Sequence, residues 1–184
     1  MTDTADRRLV LRPMTVADEP EVMAAQRELA EDAFGFVFLE DGDTFADLLT
    51  RTERAAAGDV DEGKVPASFY LAEVDGILVG RVSIRHELNE WLLGFGGHVG
   101  YGVRPAYRRR GYAAEILRQA LEVTDSLGVE RVLVTCDDDN VGSARTIEGA
   151  GGVLENVVPD GDNAPKRRYW IDRTAQVAQR RSTA

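Results

Sequence analysis

The residues best placed to do chemistry lie in one stretch, Val103-Arg104-Pro105-Ala106-Tyr107-Arg108-Arg109-Arg110-Gly111-Tyr112-Ala113. It reads as a strand turning into a helix through a basic turn that contains a glycine. A helix start leaves backbone N–H groups without intrahelical partners, and the macrodipole adds partial positive charge there. Such a junction suits an anion, and a diphosphate is its natural guest where a glycine lets it approach the backbone. A solvated helix start with exposed arginines reads the same residues without any ligand. The spacing G-x-x-x-x-G-K-[ST] of a nucleotide-phosphate loop is absent, so nucleotide chemistry fits poorly.

Other reactive side chains are few. The chain has two histidines, His86 and His98, and a single cysteine, Cys136. That is too sparse for a metal centre, and no metal is expected. An imidazole near its reference pKa exchanges protons close to neutrality, which makes His98 a candidate base; a hydrogen-bonded structural histidine is the competing reading. Glu87 and Glu90, just upstream, offer carboxylates for the same task or are plain solvated charges. Cys136 ends an apolar run with no base nearby in sequence, which reads as an inert buried thiol.

These residues need elements to position them. Leu9-Val10-Leu11-Arg12-Pro13 reads as a short strand closed by proline. Thr15 and Asp18 form a capping pair for a helix to about Ala33, and Asp41-Gly42-Asp43-Thr44 starts a second helix to about Gly58. From Ala67 the period becomes two, and Ser68–Val74, the turn Asp75-Gly76 and Ile77–Arg85 predict a hairpin. In its second strand Leu78, Val82 and Ile84 share one face, with Arg81, Ser83 and Arg85 on the other. His86 continues the parity of Leu78, so core packing is its default. A glycine-rich strand spans about His98 to Val103, where the bare backbone points to a closely approaching ligand. A helix follows over Gly111–Leu127, buried through Ile116, Leu117, Ala120, Leu121 and Val123. Then come a strand at Arg131–Cys136, a short helix over Asn140–Gly149, and a hairpin of Val153–Val158 with Arg167–Asp172. The final segment, 173–184, is expected to fray.

Composition sets the outer bounds. With 184 residues, 43% of them hydrophobic, the chain suits one domain with its core in about 9–172. A formal charge of −10 argues against general affinity for nucleic acid or anionic membranes. One cysteine and no apolar signal core fit a cytoplasmic protein.

The basic turn resembles the acetyl-coenzyme A signature R/Q-x-x-G-x-G/A of GNAT-superfamily N-acetyltransferases, here Arg108-x-x-Gly111-x-Ala113. Asp139-Asn140-Val141-Gly142-Ser143, running on to Gly151-Gly152, is similar to the family's second motif. The segments Arg85–Asn89, Gly96–His98 and Arg168–Ile171 look nearest to a little-characterised bacterial branch. The resemblance implies an α+β fold: a central twisted, mostly antiparallel sheet of six or seven strands, splayed near Val103 and flanked by about four helices. It also implies that the backbone of Tyr101, Gly102 and Val103 pairs with pantetheine. Arg108, Arg109, Arg110, Gly111, Tyr112, Ala113 and Ala114 would hold the diphosphate, and Asn140 and Ser143 would meet the pantetheine arm near the thioester.

One departure matters. Many relatives place a tyrosine, the acid that protonates the leaving thiolate, seven residues after the Asn; Ile147 stands there. Ser143 is the substitute the resemblance offers, though a helix-start serine bonding its own backbone reads equally well. The implied reaction is direct attack of a primary amine on acetyl-coenzyme A, with His98, Glu87 or Glu90 accepting the proton. The acceptor is a small-molecule amine or a peptide N-terminus, and a homodimer stays open. A non-catalytic acyl-coenzyme A sensor is the alternative that the missing tyrosine permits.

Overall fold

The computed structural model describes residues 8–32 and 34–183. The period-two segment folds as expected into a hairpin, β2 (Ala67–Val74) and β3 (Ile77–Arg85). Asp75 and Gly76 both take positive φ (52° and 77°), the twisted two-residue turn that suits right-handed strands. β1 (Val10–Arg12), β4 (Val99–Val103), β5 (Arg131–Asp137), β6 (Val153–Asp160) and β7 (Asn163–Asp172) complete a sheet of order β1-β2-β3-β4-β5-β7-β6. Each neighbouring pair is antiparallel except β4 with β5.

Helices cover both faces. α1 (Glu19–Ala30) and α2 (Phe45–Ala56) pack Val22, Ala25, Leu29, Phe45 and Leu48 against Leu71 and Leu78. α3 (Tyr112–Ser126) and α4 (Val141–Gly149) pack Ile116, Leu117, Ala120, Ala144 and Ile147 against Val79, Val82, Ile84, Val99 and Val134. The expected capping pair is present: Asp18 accepts from the Thr15 backbone N–H at 2.7 Å, ahead of a 3₁₀ turn that leads into α1. α1 ends at Ala30, and Ala33, the expected end, lies outside the described residues.

Two expectations change, and the polar face of β3 proves to be covered. The β2–β3 register slips between Ala72 and Glu73. Leu78 therefore joins the α1/α2 core while Val82 and Ile84 join the α3/α4 core, so strict alternation fails at the bulge. The face that carries Arg81, Ser83 and Arg85 is covered, with Arg81 and Ser83 buried. The segment expected to fray is a fifth helix, α5 (Thr174–Thr183), anchored by buried Val177 and an Arg181–Glu130 ion pair at 3.0 Å.

Candidate active site

The site is built where β4 and β5 part. The two strands share one paired position, Val99 with Val134. His98 extends that contact, its N–H donating to the Leu133 carbonyl (2.7 Å) and its Nδ1 accepting from the Leu133 N–H (2.9 Å). Thr135 adds a hydrogen bond to the Phe95 carbonyl at 2.6 Å. Beyond Val99, β4 is paired only with β3 and β5 only with β7. Gly100 to Val103 thus line an opening in which β4 has no strand partner on the β5 side, although the Val103 carbonyl accepts from Arg108.

On the α3/α4 side, Tyr101 reaches across this opening. Its hydroxyl donates to Ser143 Oγ at 3.4 Å, and burial pushes its pKa up to about 12. Ser143 stands in the first turn of α4, whose start is fixed by Asn140 Oδ1 accepting from the Ser143 N–H at 3.0 Å. Ile147, at the position of the usual acid, is fully buried in the core. Tyr169 is also buried, its hydroxyl donating to Glu148 at 3.0 Å. Cys136 is buried, and desolvation pushes its thiol up to about 11.

At the far end of β4 the basic turn enters α3. Gly111 caps the helix at φ 82° with no side-chain cap, and a Cβ there would meet nothing within 4 Å. Arg109 also takes positive φ, 61°, so two positive-φ residues curl the turn just ahead of the helix start. The arginines divide the work. Arg104 is buried and held by Glu21 (2.8 Å) and Glu28 (2.6 Å), while Arg108 bonds the Val103 carbonyl (3.1 Å) and Asp32 (2.5 Å). Arg110 lies over Tyr107 and bonds the Ala106 carbonyl; Arg109 is exposed. A groove of about 510 Å³ between α3 and α4 begins at Gly111 and Ala114 and is lined by Arg145 and Thr146. Arg145, one turn into α4, lines this groove, and nothing in the sequence marks it.

The proposed bases sit at the opposite end of β4. His98 is buried, and desolvation, then nearby Arg85, pushes its pKa down to about 4. Glu87 and Glu90 are exposed on the segment after β3, and neither makes an ion pair among the described residues. His86 is half-buried, its Nε2 at 2.8 Å from Ser68 Oγ. The glycines of β4 have a cause within the protein: a Cβ on Gly102 would lie 2.5 Å from the Phe34 ring, and one on Gly100 would lie 2.9 Å from Arg85.

An acetyltransferase (GNAT) domain family matches residues 8–153. The chain belongs to the GNAT acetyltransferase family. Its acyl donor is accordingly acetyl-coenzyme A. This acetyltransferase superposes on RimJ of Mycobacterium smegmatis in complex with CoA-disulfide, with a TM-score of 0.70, 15% identity, and 95% and 88% of the two chains covered. RimL, the ribosomal L7/L12 alpha-N-protein acetyltransferase solved with coenzyme A, gives a TM-score of 0.69 at 15% identity over 92% and 97%. yncA of Salmonella typhimurium, solved with acetyl-CoA, gives 0.61 at 14% identity over 89% and 93%. No curated protein matches the acetyltransferase sequence. Among the described residues no helix is long and apolar enough to cross a membrane.

Proposed function

We propose that this chain is an N-acetyltransferase that passes the acetyl group of acetyl-coenzyme A to a primary amine by direct attack. The observation that carries the reading is the one-sided opening between β4 and β5, with the Tyr101–Ser143 pair on its α3/α4 side. The donor brings a thioester, an activated acyl group whose thiolate must be protonated as it leaves.

The chain's own residues divide the remaining tasks. The amides of Gly111 to Ala114, with Arg109, Arg110 and Arg145, hold the diphosphate end. The backbone of Tyr101, Gly102 and Val103 orients the pantetheine, and the Asn140 amide hydrogens steady its far end. Ser143 delivers its proton to sulfur while the Tyr101 hydroxyl passes its own to Ser143, and the Tyr101 phenolate then takes a proton from water, which balances the one released by the amine. That pair replaces the tyrosine missing at Ile147.

His98 has a different role. With Nδ1 occupied and its pKa near 4, it is a weak proton acceptor, and it instead pins β4 to β5. The ammonium proton leaves through water toward Glu87 and Glu90. The test is thiol release from acetyl-coenzyme A across amines of several classes. Turnover with any of them supports the enzyme; tight binding without thiol release from the whole panel would favour the sensor.

A further inference from the structure

The face of β3 turned toward α1 and α2 holds two guanidinium groups in an unusual setting. Arg81 is only 3% exposed. Its Nη1 donates to the Gly100 carbonyl (2.8 Å) and its Nη2 to the Gly35 carbonyl (2.6 Å), while Nε is buried without a partner. The rings of Phe34, Phe38 and Phe69 surround it at 4.4, 5.2 and 5.8 Å. Arg85, two pleats along the same face, is half-buried and lies over Gly100 beside Arg81. Among the described residues neither arginine has a carboxylate within ion-pair distance.

Buried charges are normally paired, because taking an ion from water costs several kcal/mol unless an opposite charge meets it. Arg104, buried in the same molecule, follows that rule through Glu21 and Glu28. The chain carries 32 acidic residues, so acid is not in short supply. Burial lowers the pKa of both arginines, and Arg85 lowers that of Arg81 further. Two adjacent cations without a counterion, held on a rigid strand, mark a place where a ligand supplies the negative charge.

Their location says which ligand. Gly100, beneath both guanidiniums, follows Val99, the last residue joining β4 to β5. The diphosphate turn lies beyond the other end of β4, roughly 10 Å or more away at strand rise. A cavity of about 520 Å³ opens on this face; Phe38, Ala67, Phe69 and Ser83 line it on the sheet side and Glu40, Asp59 and Asp61 elsewhere, and the two arginines border it without lining it. Ser83 sits between the two arginines on β3, and Ala67 pairs with Arg85. The cavity, the arginines and the opening thus follow one another across the sheet.

We propose that the acceptor amine carries an oxyanion group, a carboxylate or a phosphate, and that Arg85 binds it with Arg81 reinforcing the field. This rests on the acetyl-transfer reading for its meaning, but the anion site can be tested without it. A polycationic acceptor is disfavoured, because it would bring like charge to a buried pair.

The experiment uses the full chain saturated with coenzyme A and matched compounds: L-phenylalanine against its amide, and 2-aminoethyl phosphate against ethanolamine. Calorimetry should show the anionic member of at least one pair binding tenfold or more tighter than its neutral partner, about 1.4 kcal/mol. Arg85→Gln should abolish that preference and Arg85→Lys restore part of it, with coenzyme A affinity unchanged in both. The pair that discriminates identifies carboxylate or phosphate. Equal binding within both pairs, or a preference that survives Arg85→Gln, overturns the proposal. Thiol release with acetyl-coenzyme A is read separately: anion-selective binding without turnover upholds the site and rejects acetyl transfer, whereas turnover without anion selectivity does the reverse.

Discussion

Replacing Arg104 by methionine keeps most of the stem's volume and removes the charge that ties α1 to the end of β4. In the native chain the guanidinium makes four hydrogen bonds: two to Glu28 (2.9 and 2.6 Å), one to Glu21 (2.8 Å) and one to the Leu78 carbonyl (3.0 Å). The Glu21 side chain is 64% exposed, so that contact contributes little beyond a surface pair. The forked bond to Glu28 and the stranded carbonyl matter more, each on the order of 1–3 kcal/mol. Glu28 can recover water, which brings the expected loss to about 3 kcal/mol. For a chain of 184 residues that lowers Tm by about 6–12 °C. Thermal and urea unfolding, read by circular dichroism, give both numbers. The sign with pH is fixed as well. Arg104 lowers the Glu28 pKa, so this contribution is present above the ordinary value of 4.5 and is lost as pH falls through the lower folded value. Wild type and variant should therefore converge in acid. A variant with native Tm at pH 7 would refute the network's role.

Other outcomes follow from the same geometry. Gly111→Val adds a side chain where the protein itself leaves open space, and at φ 82°, so acetyl-coenzyme A affinity by calorimetry should fall at least about tenfold; an unchanged value on a folded variant contradicts the diphosphate assignment. Ser143→Ala and Tyr101→Phe should each lower kcat by about 10²-fold or more with little change in donor affinity, because the loss lies in the transition state. Native turnover in both would move proton delivery to water. His98, held neutral by burial with a pKa near 4, binds fewer protons folded than unfolded between there and its ordinary 6.5. Stability must then fall as pH drops through that window, by about 2 kcal/mol from pH 7 to pH 5. Urea titrations at the two pH values should show that loss in wild type and not in His98→Gln.

Much of the fold was written locally. The alternation over Ala67–Arg85, the Asp75-Gly76 turn and the glycine before α3 are short-range signals, and each element stands where they put it. Non-local features were not legible. The bulge at Ala72 that sends Leu78 to the other core depends on pairing with β2, and nothing in β3 alone announces it. Arg81, read as a polar-face residue, is buried because Phe34 and Phe38 from the α1–α2 connection and Phe69 from β2 close over it. Tyr101 was expected to contribute backbone; its side chain matters because α4, some 40 residues on, brings Ser143 to its hydroxyl. α5 escaped notice since its apolar face amounts to little more than Val177, and its partners lie on α3 and at Glu130.

The parting of β4 from β5 has a mechanical consequence. Hydrogen bonds run unbroken from β1 to β4 and again through β5, β7 and β6, but the two blocks are joined at one end only, near Val99 and His98. The molecule is in effect a clothes-peg whose spring is that junction, with α3 and α4 laid across one side. A donor lying along Gly100 to Val103 would act as the missing strand, stitching both blocks into a continuous ladder. Amide protons at the free margins of β4 and β5 should exchange readily in the empty protein and slow together when the donor seats.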